Sequence, residues 1–151
     1  MNVKKCYIMR GPSGCGKSSM AKSINPMAVI CSNDDARMKN GVYVFNQQTA
    51  AQDEACCLRK FMELVYLGWP ILVVDNCNVT ARHFKDYARA AFLNGYEVII
   101  VEPSTTWAFD VDELVKRNTH GTPRYIIEAM VRNYQHGLTV ESVLGDERKA
   151  S

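Results

Sequence analysis

The chain has 151 residues, 47% of them apolar and 23% charged, with a formal net charge of +2. That balance suits one globular domain able to bury its own core and excludes a chain disordered by composition. It carries no strong electrostatic signature of nucleic-acid binding, and no apolar run approaches the ~20 residues a membrane span needs.

Lys5 to Arg10 (KCYIMR) predicts a buried strand that ends at Gly11. The segment Gly11 to Ser18 (GPSGCGKS) follows, and Ser18 to Ile24 continues as helix until Asn25-Pro26 breaks it. Met27 to Cys31 (MAVIC) predicts a second strand ending in Ser32-Asn33-Asp34-Asp35. Residues 38–47 read as irregular, with Asn40-Gly41 as a turn. From about Thr49 to Leu67 the pattern is helical, with Ala51, Ala55, Leu58, Met62 and Val65 on one face; Gly68 and Pro70 stop it. Ile71 to Asp75 (ILVVD) is apolar without alternation, as in a parallel strand covered on both faces. Thr80 is placed to cap a helix running to Leu93, and Asn94-Gly95 closes it before the strand Glu97 to Val101. Asp110 and Glu113 have capping-box spacing for a short helix to Asn118. Thr122-Pro123 reads as a cap and first helical position, and Ile126, Ile127, Met130, Val131 and Tyr134 form the apolar side of that last helix.

Strands alternating with helices predict an α/β sandwich with a mostly parallel sheet of four to five strands. The expected organisation is a single domain over residues 1–151, with a helical lid at about 110–125 and a frayed tail at about 146–151. Ligands in such sheets sit beyond the carboxyl ends of the strands, where Gly11, Asp34 and Asp75 all fall. The six cysteines, Cys6, Cys15, Cys31, Cys56, Cys57 and Cys77, lack zinc-ligand spacing and read as reduced thiols. Of the adjacent pair, one of Cys56 and Cys57 is expected to pack and the other to face out. With no signal-peptide pattern at the start, the expected location is cytoplasmic or nuclear, not secreted.

The spacing G-x-x-x-x-G-K-[ST] is met by Gly11, Gly16, Lys17 and Ser18 in a strand–loop–helix context, the signature of a P-loop. Glycines let successive N–H groups turn toward an anion, and the helix that follows presents unpaired N–H groups. The expected triphosphate-binding stretch is Gly11, Pro12, Ser13, Gly14, Cys15, Gly16, Lys17, Ser18 and Ser19, with ATP or another nucleoside triphosphate as ligand and Mg²⁺ as companion. Lys17 supplies a cation to the phosphates, and Ser18 and Asp75 are the candidate Mg²⁺ ligands. Lys17 and the helix N-terminus would lower the Cys15 thiol pKa. Asp34 is the candidate general base for a kinase, with Asp35 beside it, and Arg37 could bind an acceptor phosphate. Arg117 and Arg124 flank the Thr119-His120-Gly121-Thr122 turn and are candidate lid arginines. Arg82, Lys85 and Arg89 share one helix face, either solvated or set on a nucleic-acid backbone; Trp107 either packs or stacks on a base.

The segments RGPSGCGKSS (Arg10 to Ser19), SNDDAR (Ser32 to Arg37), VVDNCN (Val73 to Asn78), GYEVIIVEP (Gly95 to Pro103) and DELVKRNTHG (Asp112 to Gly121) together resemble the 5′-hydroxyl polynucleotide kinases. The resemblance covers Tyr7 to about Gln135 and takes in both the phage-type kinase domain and the Nedd-four-binding-protein-two-like module. It implies a P-loop NTPase three-layer sandwich and transfer of the γ-phosphate of ATP to a 5′-hydroxyl end of DNA or RNA. It further implies that Asp34 is the base, that Arg37 holds an acceptor 3′-phosphate, and that Asp75 is a required acid. The phage-type lid has an arginine a few residues beyond its Arg-Asn pair, where this chain has Thr119, His120 and Gly121. A nucleoside or small-metabolite kinase, or a non-catalytic nucleotide-binding module, would share the P-loop.

Overall fold

The computed structural model describes residues 3–145; the expected frayed tail lies outside them. Four parallel strands form the central sheet: β1 (Lys5–Met9), β2 (Val29–Cys31), β5 (Ile71–Asp75) and β6 (Glu97–Val101), in the order β2-β5-β1-β6. The register pairs Met9 with both Asp75 and Val101, so the carboxyl ends of the three longest strands lie level. Side chains alternate across the sheet. Cys6 and Ile8 of β1, with Leu72 and Val74 of β5, pack against α2 (Ala50–Tyr66), α3 (Ala81–Leu93) and α6 (Val140–Leu144). Met9 and Val73 face the other way and meet Ala21, Met20 and Ile24 around α1 (Lys17–Ser23). Both faces are thereby covered, as the unalternating ILVVD run requires.

The second strand is shorter than expected, because Asn25 folds residues 25–28 into a turn: its side chain accepts from the Met27 N–H and its carbonyl from the Ala28 N–H. Residues 38–47 are not wholly irregular. β3 (Met38–Lys39) and β4 (Val42–Tyr43) form a small antiparallel hairpin whose two turn residues, Asn40 and Gly41, both have positive φ (53° and 79°).

The expected inner face of α2 is rotated from the observed one. Asp53, Cys57, Phe61 and Val65 are buried, whereas Ala51, Ala55 and Met62 are exposed and Leu58 is half-buried. Two stripes of residues run along this helix, and the one carrying Phe61 turns inward because an aromatic ring removes far more apolar surface from water than alanine does. Cys57 is buried and Cys56 exposed, as their adjacency predicts. α6 was not anticipated; at five residues it is too short to show periodicity, yet Thr139 and Ser142 cap it reciprocally and Val143 and Leu144 are buried in the main core.

The stretch expected to act as a lid comprises α4 (Val111–Arg117), the turn through residues 118–123 and the start of α5 (Arg124–Asn133). Leu114 and Ile127 pack with Ala108 and Cys15, so the lid's apolar contacts reach the P-loop itself. Pro123, rather than Thr122, occupies the cap position of α5. Thr122 instead receives its N–H partner from Asn118 Oδ1 (2.8 Å) and sets its hydroxyl 3.2 Å from that of Ser13.

Candidate active site

The loop after β1 is held from below by a residue the sequence did not single out. Arg10 is fully buried; its guanidinium donates to the carbonyls of Asn78 (2.8 Å) and Val79 (2.9 Å) and lies 4.4 Å from the Tyr134 ring centroid. Asn78 returns a bond to the Met9 carbonyl (2.7 Å), and the Gly11 N–H donates to Cys77 (3.0 Å). The ends of β1 and β5 are thus tied together, which brings the P-loop beside Asp75.

Loop orientation is set from outside. Thr105 Oγ1 donates to the Cys15 carbonyl (3.0 Å) and Trp107 Nε1 to the Gly14 carbonyl (3.1 Å). Every described peptide bond is trans, so the N–H groups of Cys15 and Gly16 point away from the sides on which those carbonyls are bonded. The Cys15 N–H is used within it, donating to Pro12 O (3.1 Å). Gly16 begins α1 without a side-chain cap, leaving the first-turn N–H groups as donors for an anion. Gly14 has φ 89°, and a Cβ there would lie 2.5 Å from the Leu114 carbonyl oxygen, so only glycine allows the lid to rest on the loop.

Ser13, Gly14, Gly16, Lys17, Ser18 and Ser19 line a cleft of about 1710 Å³. Gly11, Pro12 and Cys15 are buried behind that wall. The expected activation of Cys15 is not observed: burial raises its thiol pKa, outweighing the lowering effect of the Lys17 charge. Lys17 sits at the base of the cleft, 9% exposed. Burial works against its ammonium, but the Cys77 and Cys15 sulfurs and the Asp75 and Asp34 carboxylates outweigh it and hold the pKa above the ordinary lysine value. Ser18 Oγ donates to Asp75 Oδ2 (2.9 Å), while Asp75 Oδ1 is buried with no hydrogen-bond partner. A hydroxyl and an orphaned carboxylate oxygen side by side at the foot of a phosphate loop fit a hard cation such as Mg²⁺, which takes one or two protein oxygens and completes its shell with water and phosphate.

Asp34 stands on the 3₁₀ turn Asn33–Arg37, which Ser32 caps with its hydroxyl and Asp35 with its carboxylate. Both Asp34 oxygens are engaged. Tyr43 OH donates to Oδ1 (3.1 Å) with Arg37 Nη1 3.7 Å away, and His120 Nδ1 lies 3.4 Å from Oδ2. Tyr43 and His120 stack, ring centroids 4.1 Å apart and planes within 10°. Burial and the Asp34 charge raise the Tyr43 pKa, keeping it a neutral donor. Arg37 is clamped by Asp53 (3.1 Å) with its guanidinium over Phe45 (4.9 Å). Asp53, Tyr43 and His120 were not singled out from the sequence. Tyr43 lies in a stretch that reads as irregular, and His120 enters the sequence reading as one of the residues that stand where the phage-type lid has its arginine.

The two lid arginines separate. Arg117 lines the cleft, with its guanidinium carbon 3.8 Å from the Trp107 ring centroid and its Nε donating to Glu113 (3.0 Å). Arg124 is not brought to that wall; its guanidinium is taken by Asp112 and Glu128 on the outer surface, so its expected place on the phosphates is not observed. Trp107 is committed to the loop and to Arg117. Of the basic α3 residues, Arg82 lines the cleft, while Arg89 pairs with Asp86.

An AAA domain family, AAA_33, matches residues 7–139. NEDD4-binding protein 2 of Homo sapiens is 31% identical over 140 residues, 91% of this chain but 8% of that protein. The 2′,3′-cyclic-nucleotide 3′-phosphodiesterase of Pongo abelii is 28% identical over 123 residues, 76% of this chain and 28% of the relative. The chain therefore spans less than a third of either relative. Among solved structures, one from the Pnkp1/Rnl/Hen1 RNA repair complex superposes with a TM-score of 0.66 at 18% identity, covering all of this chain and 47% of the other. A second Pnkp1/Rnl/Hen1 structure gives 0.60 at 20% identity over 83% of this chain and 42% of that one. These likenesses establish the fold, a P-loop three-layer sandwich. With the family match extending over residues 7–139, the chain belongs to the AAA_33 family of AAA domains.

Proposed function

We propose that this chain transfers the γ-phosphate of ATP to the 5′-hydroxyl end of a polynucleotide. The observation that carries the reading is Asp34: its carboxylate opens into the same cleft as Lys17 and acts on the Lys17 ammonium. A water-using triphosphatase has no need of such a base.

In this reading the loop N–H groups and Lys17 hold the β- and γ-phosphates. Asp34 accepts the proton of the attacking hydroxyl as the new P–O bond forms. The bond from the γ-phosphorus to its bridging oxygen breaks, ADP leaves, and Asp34 later returns the proton to solvent. Arg117 would face the developing charge from the lid, held by Trp107 and Glu113. Ser18 and Asp75 would hold Mg²⁺, which neutralises phosphate charge when bound. Arg37 would meet a phosphate of the acceptor, with Asp53 fixing its direction. The cleft exceeds the ~300–1,000 Å³ of an ordinary small-molecule site and continues past Asp34 along Ala51, Glu54, Leu58, Arg82 and His83, space for a second substrate. Likeness to an RNA repair complex supports a nucleic-acid acceptor.

Incubation with γ-labelled ATP and a 5′-hydroxyl oligonucleotide tests this. The expected result is label on the 5′ end, with oligonucleotide affinity falling steeply as salt rises. Label appearing only on free nucleosides would make the chain a small-acceptor kinase, and label on no acceptor would end the kinase reading.

A further inference from the structure

We infer that His120 and Tyr43 together form a positioning clamp that aligns the Asp34 carboxylate and couples its alignment to the closed lid. The inference rests on the proposed role of Asp34 as base. Three elements distant in sequence supply the parts: the 3₁₀ turn brings Asp34, the hairpin strand β4 brings Tyr43, and the lid turn brings His120.

The geometry constrains each oxygen separately. Tyr43 OH takes Oδ1 at 3.1 Å and His120 Nδ1 faces Oδ2 at 3.4 Å, so rotation about the carboxyl bond breaks both contacts at once. The near-parallel stack, 4.1 Å between centroids, means neither ring can swing without disturbing the other. Asp34 is otherwise about one-third exposed, too open for packing alone to fix it. His120 lies two residues after Asn118, whose side chain accepts from Thr122 N–H and donates to the Val115 carbonyl. The imidazole is therefore carried by the same turn that sets Thr122 against Ser13 of the P-loop. Lifting that turn removes the Oδ2 partner, so the base is held on both oxygens only while the lid rests on the phosphate loop.

The charged and titratable groups around the clamp are Arg37 on the 3₁₀ turn, Tyr43 on the hairpin, Asp53 on α2, Lys17 on α1, Asp75 at the end of β5 and Arg117 on α4. Arg37 is neutralised by Asp53 and Asp34 together, which leaves Asp34 as the carboxylate in contact with the imidazole.

The kinetic test compares wild type with His120→Ala, His120→Asn and Tyr43→Phe. Asparagine places an amide N–H near the position of Nδ1 without being able to titrate. The imidazole–carboxylate contact joins two partly exposed groups, so its loss in His120→Ala corresponds to a fall of roughly 2- to 5-fold in kcat. The KM for ATP should stay nearly constant, and His120→Asn should recover most of the loss. Wild-type kcat in His120→Ala, or no recovery in His120→Asn although it is folded, overturns the clamp while leaving the kinase reading intact. A second readout needs no activity: the imidazole nitrogen resonances of His120 are recorded by NMR at one pH in wild type and in Asp34→Asn. Removing the facing carboxylate should move the Nδ1 resonance, and an unchanged resonance overturns the contact. If the wild type transfers no phosphate at all, the function reading fails by itself and the NMR comparison still decides whether His120 grips Asp34.

Discussion

Lys17 and Asp34 share one cleft, and the proposed function gives them opposite duties that substitutions should separate. Lys17 is buried among groups that keep it protonated, so Lys17→Ala removes a transition-state cation; the expected loss is ~3 kcal/mol, or roughly a hundredfold in kcat. Asp34→Asn keeps the shape and removes the proton acceptor. Transfer should collapse while ATP affinity, read by calorimetry, stays within a few-fold; equal loss of both would make Asp34 a structural residue. Cys15 supplies a residue-scale check on the loop. Its thiol is fully buried and raised in pKa, whereas Cys56 is exposed. Alkylation of the native protein near neutral pH should mark Cys56 and spare Cys15, as peptide mapping would report; rapid labelling of Cys15 would mean that the loop opens readily. The P-loop motif showed these backbone positions in the sequence, but motif reasoning could not see that Leu114, Ile127 and Ala108 would close over the sulfur. Burial reversed the expected direction of its pKa.

The helix α2 shows how an element can be found correctly and still be misoriented. Its span is legible from periodicity and its stop from Gly68, but two stripes satisfied helical spacing and only packing against β2 and α3 chose between them. Phe61 is fully buried and Met62 is 47% exposed. Phe61→Ala should cost about 3–5 kcal/mol of stability by cavity formation, and Met62→Ala no more than about 0.5 kcal/mol, as a surface change. Urea midpoints measure both, and similar costs would place the stripe where the sequence put it. The lid is a second such element. Gly14→Ala places a methyl group against the Leu114 backbone and demands an unfavourable φ, so the lid must lift. ATP affinity should drop and the thermal midpoint should fall with it; tight ATP binding in this variant would show that the loop does not depend on lid contact.

Across the whole molecule, the core holds several groups that titrate only with difficulty. Burial pushes the Cys31 thiol up to about 12 and raises Cys6 and Tyr87 beyond that. Their folded values exceed those of the unfolded chain, so the unfolded state releases these protons first. The associated stability is complete below the ordinary thiol value and declines as pH climbs past it. Denaturation in reductant at about pH 8 and about pH 10.5 should give a clearly lower midpoint at the higher pH; equal midpoints would mean these groups are not buried in solution. Arg10 belongs to the same scale, because it ties the end of β1 to the loop after β5. Arg10→Met should cost several kcal/mol, since it strands the Asn78 and Val79 carbonyls in the interior and frees the two strand ends that carry the P-loop and Asp75.

The sequence alone determined the strand–loop–helix cradle, the parallel α/β architecture and the placement of Gly11, Asp34 and Asp75 at strand ends, because glycine spacing, apolar runs and caps are local signals readable in one dimension. The tertiary structure alone decided which lid arginine enters the cleft, which stripe of α2 is buried, and that Tyr43 and His120 close on Asp34. Those outcomes depend on contacts between residues many positions apart, as between Arg10 and Val79 or Asp34 and His120, where what decides is which partner reaches a given charge or apolar surface first in space.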